Sequence, residues 1–113
     1  MGLKSKTVAE NVIEVIFFTQ ETCGACATQR EKNDGLEDEY PDVEFREVDI
    51  QTDLETAAEY NVRKTPTTLV YANGERIAEF IGIVDRDDME TAIENATQRP
   101  SGLTQRLVDI VRE

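Results

Sequence analysis

Val15-Ile16-Phe17-Phe18-Thr19-Gln20-Glu21-Thr22-Cys23-Gly24-Ala25-Cys26 passes from an apolar, β-branched and aromatic run through a short polar loop into a pair of cysteines three positions apart. Extended to Val12–Thr19, the apolar run reads as a largely buried strand. Thr22 is placed to cap a helix that starts near Cys23, which puts the pair at a strand-to-helix junction. These are the only two cysteines in the chain.

From that junction a helix is expected to run toward Tyr40, bent or broken around Asn33-Asp34-Gly35 and ended by Pro41. Val43, Phe45 and Val48 mark a second strand ending near Ile50, and Thr52 or Asp53 can cap a short helix through Tyr60. Thr65-Pro66-Thr67 then opens a third strand, Thr67–Tyr71, with proline at its start, where a missing N–H is tolerated. Asn73-Gly74 suits a type I′ turn, whose two central residues need positive φ, and leads into an antiparallel strand from Glu75 to Ile83. Asp85 begins a helix through about Ala96, with Asp88 near its positive end.

The order β-α-β-α-β-β-α predicts an α/β fold: a mixed central sheet flanked by helices. Beyond the breaker Arg99-Pro100-Ser101-Gly102, Leu103, Leu107, Ile110 and Val111 recur at helical spacing. The expectation is one compact domain over residues 1–98 with a C-terminal helical extension over 99–113. The extension is expected to dock its apolar face on the domain in preference to a partner, because short isolated helices are marginal in water.

Of 113 residues, 24 are acidic and 12 basic, giving a net charge of −12. That field repels phosphate backbones and argues against nucleic-acid binding. No stretch approaches the roughly 20 apolar residues of a membrane span. The N-terminal region lacks a continuous signal-peptide core, so the expected location is the cytoplasm, where thiols are kept reduced. A close cysteine pair there is read as catalytic or metal-binding before it is read as a structural staple.

At a helix start, the first sulfur of Cys-x-x-Cys lies over unpaired backbone N–H groups and the positive end of the helix dipole, and both favour thiolate. The second sulfur, one turn on, can attack a mixed disulfide formed by the first. Cys23 is therefore the candidate nucleophile and Cys26 the candidate resolving thiol. A zinc site would normally need four ligands, and the chain offers no histidine and no other cysteine, so carboxylates or a second subunit would have to complete it. An inert disulfide is the remaining alternative.

The strand, Cys23-Gly24-Ala25-Cys26, the helix, Thr65-Pro66-Thr67 and the Asn73-Gly74 hairpin, in this order over roughly Val12 to Ala96, resemble the thioredoxin family. The resemblance implies a protein-disulfide reductase that needs no cofactor or metal, acts on disulfide-containing proteins and draws electrons from a thioredoxin-reductase-type donor. It also implies a cis Thr65-Pro66 bond beside the dithiol, with the Thr65 backbone pairing to an extended substrate. Glutaredoxin-like reduction of small-thiol disulfides is the nearest alternative activity, and a non-catalytic interaction module with the same fold is another. A short N-terminus, with little room for an extra first strand, is expected to bring the architecture nearer to the minimal or glutaredoxin-like form.

Several positions depart from the family pattern. Thr22 stands where tryptophan is usual and Gly24-Ala25 where Gly-Pro is usual. Phe17 occupies the place of a buried aspartate, six residues before the first cysteine. Glu47 falls at the family's lysine on the neighbouring strand and becomes the candidate for proton transfer, raised in pKa by partial burial and acting through water. Arg63 and Lys64 precede Thr65 where a small residue is common; they can favour the Cys23 thiolate, attract acidic partners, or simply form a solvated loop.

The acidity fits either a plain soluble protein or one adapted to high salt, since few lysines and many carboxylates would be screened at a Debye length of roughly 3 Å in 1 M salt. Under the second reading the thermal midpoint rises between about 0.1 M and about 2 M KCl by more than a generic stabilising salt produces. A midpoint independent of KCl leaves only the first.

Overall fold

The structure, a computed structural model, describes residues 12–98. The N-terminal segment, with any strand ahead of Val12, and the helix expected over 99–113 lie outside the described residues. The elements are β1 (Ile13–Thr19), α1 (Gly24–Asn33), α2 (Leu36–Glu39), β2 (Glu44–Asp49), α3 (Leu54–Glu59), β3 (Thr67–Ala72), β4 (Glu75–Ile81) and α4 (Arg86–Gln98). They form a four-stranded sheet in the order β2-β1-β3-β4. β1 runs parallel to β2 and antiparallel to β3, and β3 runs antiparallel to β4, which gives the expected mixed sheet.

β1 lies inside the sheet and is buried on both faces, which explains its lack of clean alternation. Ile13 and Val15 belong to one cluster with Val70, Leu36 and the α4 residues Met89 and Ile93. Ile16 and Phe18 point the other way, into a cluster with Val48 and Leu69 that Tyr60 and Val62 cover. The Tyr60 ring stands 5.7 Å from Phe18 and 5.7 Å from Tyr71, centroid to centroid. Full burial of side chains such as Ile16 and Phe18 contributes about 1.5–3 kcal/mol each, so β1 anchors both halves of the core.

The long helix expected from Cys23 to Tyr40 is broken. α1 ends at Asn33, and Gly35 adopts φ +87°, a left-handed conformation that costs glycine little, before α2 begins. Arg86 bridges the break by donating to the carbonyl oxygens of Lys32 and Asp34, and it also pairs with Glu39 and Glu90. Tyr40 donates to Glu94 on α4 at 2.9 Å; burial and then that carboxylate push its pKa up to about 12.

Other boundaries follow local chemistry. Asp53 caps α3 by accepting from the Thr56 N–H. Asn73 and Gly74 both have positive φ, as the hairpin requires. β4 stops at Ile81 and not at Ile83: the Gly82 N–H makes one more in-register bond, to the Pro66 carbonyl at 2.8 Å, but proline has no N–H to return and Gly82 turns to φ +99°.

One buried polar clip fixes α1 against the rest of the domain. Gln29, 0% exposed, accepts from the Val84 N–H at 2.7 Å and donates to the Val84 carbonyl at 3.1 Å. Its amide also donates to Asn33 at 3.0 Å. Leucine would leave the Val84 groups without these partners inside the protein, at roughly 1–3 kcal/mol for a buried unsatisfied group. Gln29→Leu is expected to lower stability by about 2–4 kcal/mol, read as a lower urea midpoint with an unchanged slope.

Candidate active site

The site is assembled where β1 ends and β3 begins. Phe18 lies opposite Thr67 in the antiparallel ladder, so the loop from Thr19 to Cys23 and the segment ahead of Thr67 leave the sheet at the same end. The Gly82–Pro66 hydrogen bond brings the end of β4 to the same place. Three chain segments thus converge there although they are far apart in sequence.

Cys23, and not Thr22, caps α1. Its backbone is extended, and its Sγ accepts a hydrogen bond from the Cys26 N–H at 3.0 Å. The helix begins one residue later than a Thr22 cap would require, leaving Thr22 exposed in the preceding turn. The two cysteines are joined in a disulfide with their Cα atoms 5.2 Å apart. Cys23 is half-buried, whereas Cys26 is 1% exposed. A ligand that attacks or is attacked from outside therefore meets Cys23 first. The thiolate of a reduced Cys23 would sit at a helix N-terminus, beside an N–H already directed at its sulfur.

The Thr65-Pro66 bond is cis, as the resemblance implied. Pro66 is buried and Thr65 half-buried, and Thr65 lies just outside the β3 ladder. The hydroxyl of Thr67 donates to the Lys64 carbonyl at 2.7 Å, which ties down the residue before the Thr-Pro pair.

Glu47 is in register with Phe17 across β1 and β2. The partial burial expected of it is modest: its side chain is 48% exposed, and Arg30 holds its carboxylate at 2.6 Å. The Arg30 guanidinium also lies 5.8 Å from the centre of the Phe17 ring and donates to Thr19 Oγ1 at 3.3 Å. An ion pair over an aromatic ring thus occupies the region of the missing carboxylate. Arg30 was not singled out from sequence, although its position one turn beyond Cys26 was a usable signal. Thr68, on the other side of Phe17, is fully buried, and its Oγ1 has no hydrogen-bond partner among the described residues. Sequence reasoning also passed over this hydroxyl, which looks like one more β-branched residue of a buried strand.

Comparison with known proteins agrees with this geometry. The thioredoxin family model matches residues 4–95. The chain belongs to the thioredoxin family. It is 33% identical over 75 residues to thioredoxin-1 of Schizosaccharomyces pombe, covering 66% of this chain and 73% of that protein. It is 32% identical to the thioredoxin of Ophiophagus hannah, over 70% of this chain and 74% of the relative. Among solved structures, Fasciola hepatica thioredoxin superposes with a TM-score of 0.66 at 30% identity, covering 80% of this chain and 86% of that one. A point-mutant thioredoxin of Halobacterium salinarum superposes with a TM-score of 0.69 at 26% identity, over 86% and 85% of the two chains. With its Cys23–Cys26 pair, this family member is a dithiol thiol-disulfide oxidoreductase that reduces protein disulfides.

Proposed function

We propose that Cys23 is the attacking thiolate and Cys26 the resolving thiol. The observation that carries this assignment is the contrast between a half-buried Cys23 that caps α1 and a Cys26 with almost no exposure. Cys23 thiolate attacks one sulfur of a substrate disulfide, forming a mixed disulfide and expelling the other sulfur as a thiolate, which takes up a proton. Cys26, on losing its proton, attacks Cys23 Sγ and expels the remaining substrate sulfur. The substrate gains two electrons and two protons, and the protein is left with the Cys23–Cys26 disulfide. A second dithiol exchange, with a thioredoxin-reductase-type donor, returns it to the reduced state.

Thr65 and Pro66 are assigned to substrate binding: the Thr65 backbone, outside the β3 ladder, pairs with an extended segment as its disulfide approaches Cys23. Glu47 is assigned to proton transfer for Cys26 through water, from its place beside Phe17 on the sheet. The reaction is assigned to the cytoplasm, in keeping with a dithiol that cycles; no helix among the described residues is long and apolar enough to cross a membrane. Residues 1–98 form the working domain in this reading, with 99–113 as an extension.

Cys26→Ser is expected to accumulate substrate proteins as mixed disulfides on Cys23, released by dithiothreitol and seen on non-reducing gels. Trapping through Cys26 in the Cys23→Ser variant instead would reverse the two roles. Glu47→Gln is expected to slow reduction of a protein disulfide several-fold, and a rate unchanged from about pH 6 to pH 9 would leave Glu47 only its ion pair with Arg30.

A further inference from the structure

On a strongly acidic chain, five of the seven described lysines and arginines are engaged with carboxylates. Arg30 pairs with Glu47, Lys32 with Asp85, Arg46 with Glu14, Arg76 with Glu79, and Arg86 with Glu39 and Glu90. Arg63 and Lys64 are the exceptions. Both are exposed, they are adjacent, and neither forms an ion pair among the described residues. They immediately precede the cis Thr65-Pro66 bond, and the Thr67 hydroxyl holds the Lys64 carbonyl.

Apolar side chains are exposed at the same end of the sheet. Ile81 is 63% exposed and Ile83 48% exposed. They flank Gly82, whose N–H binds the Pro66 carbonyl at 2.8 Å, so both belong to the same end of the sheet as the dithiol loop. Arg63, Lys64 and Ile81 share a depression of about 360 Å³ with Glu79, whose carboxylate lies 3.7 Å from Arg76. Two cations without an ion pair among the described residues, and the apolar Val62 and Ile81, therefore line a single concavity, and the carboxylate within it already has a cation beside it.

We infer that this rim selects disulfide partners whose cysteine lies in a segment carrying acidic residues next to an apolar one. The carboxylates would meet Arg63 and Lys64, and the apolar side chain would cover Ile81. This inference rests on the disulfide-reductase reading and adds a substrate class to it. The net charge of −12 does not oppose it at contact. With a Debye length of about 8 Å at 0.15 M ionic strength, distant carboxylates are largely screened while the cations of the rim act directly.

The test uses the full chain and three disulfide-linked peptides that differ only in their flanks: Asp/Glu with leucine, Ser/Gln with leucine, and Lys with leucine. Bis(2-hydroxyethyl) disulfide, uncharged and too small to span the rim, reports the dithiol chemistry alone. In wild type, kcat/KM is expected to fall from acidic to neutral to basic flanks. In Arg63→Gln/Lys64→Gln the acidic-to-neutral ratio should drop by about 3- to 10-fold, the scale of two exposed ion pairs, because comparing ratios cancels the field of the whole protein. About 0.5 M NaCl should shrink the wild-type ratio as well. An equal ratio in wild type and variant overturns the inference. So does an equal slowing of every substrate, which would mean that the cations act on Cys23. If wild type reduces none of the peptides and no protein disulfide, such as those of insulin, the reductase reading itself falls.

Discussion

The antiparallel ladder between β1 and β3 is the constraint on which the site depends. β1 is buried on both faces and cannot shift by one residue without exchanging Ile13, Val15 and Phe17 for Ile16 and Phe18 on opposite sides of the sheet. With that register fixed, the exit of β1 and the entrance of β3 are neighbours. A cysteine pair and a Thr-Pro pair about forty residues apart in the chain then emerge at one end of the sheet. The chemistry is local to a few atoms, and its placement is the work of the whole core.

A second layer of control lies along α1. The helix is poor in apolar residues, so hydrophobic burial alone would hold it weakly. Polar contacts supplement it: Gln29 grips Val84, Arg30 reaches Thr19 and Glu47, and Arg86 closes the break after Asn33. Each contact joins α1 or its C-terminal end to a different part of the fold. The first turn, with its sulfur cap, is thereby fixed from behind.

Much of this was legible in sequence because the signals were local or periodic. The apolar β1, the Asn73-Gly74 turn, the Asp53 cap and the Cys-x-x-Cys spacing each carry their conformation in a few neighbouring residues. What could not be read depended on partners distant in the chain. Gln29 looks like a solvated helix residue until Val84 is placed beside it. The early end of β4 depends on its pairing with Pro66, which has no N–H to offer, and the setting of Glu47 depends on Arg30. The shift of the α1 cap from Thr22 to Cys23 is subtler, since adjacent residues could both accept the same kind of hydrogen bond and one residue of register decides between them.

The Gln29 clip also bears on how partners tell one redox form from the other. It lies on the same helix as Cys26, yet neither of its hydrogen bonds to Val84 involves sulfur. Making or breaking the Cys23–Cys26 bond therefore leaves the attachment of the helix in place. In the proposed cycle a donor dithiol and a substrate disulfide both exchange at Cys23, and what would distinguish the loaded from the spent protein is whether that sulfur is nucleophilic or electrophilic. Discrimination of that kind is kinetic, exercised in the exchange reaction itself, and requires no separate open and closed shapes.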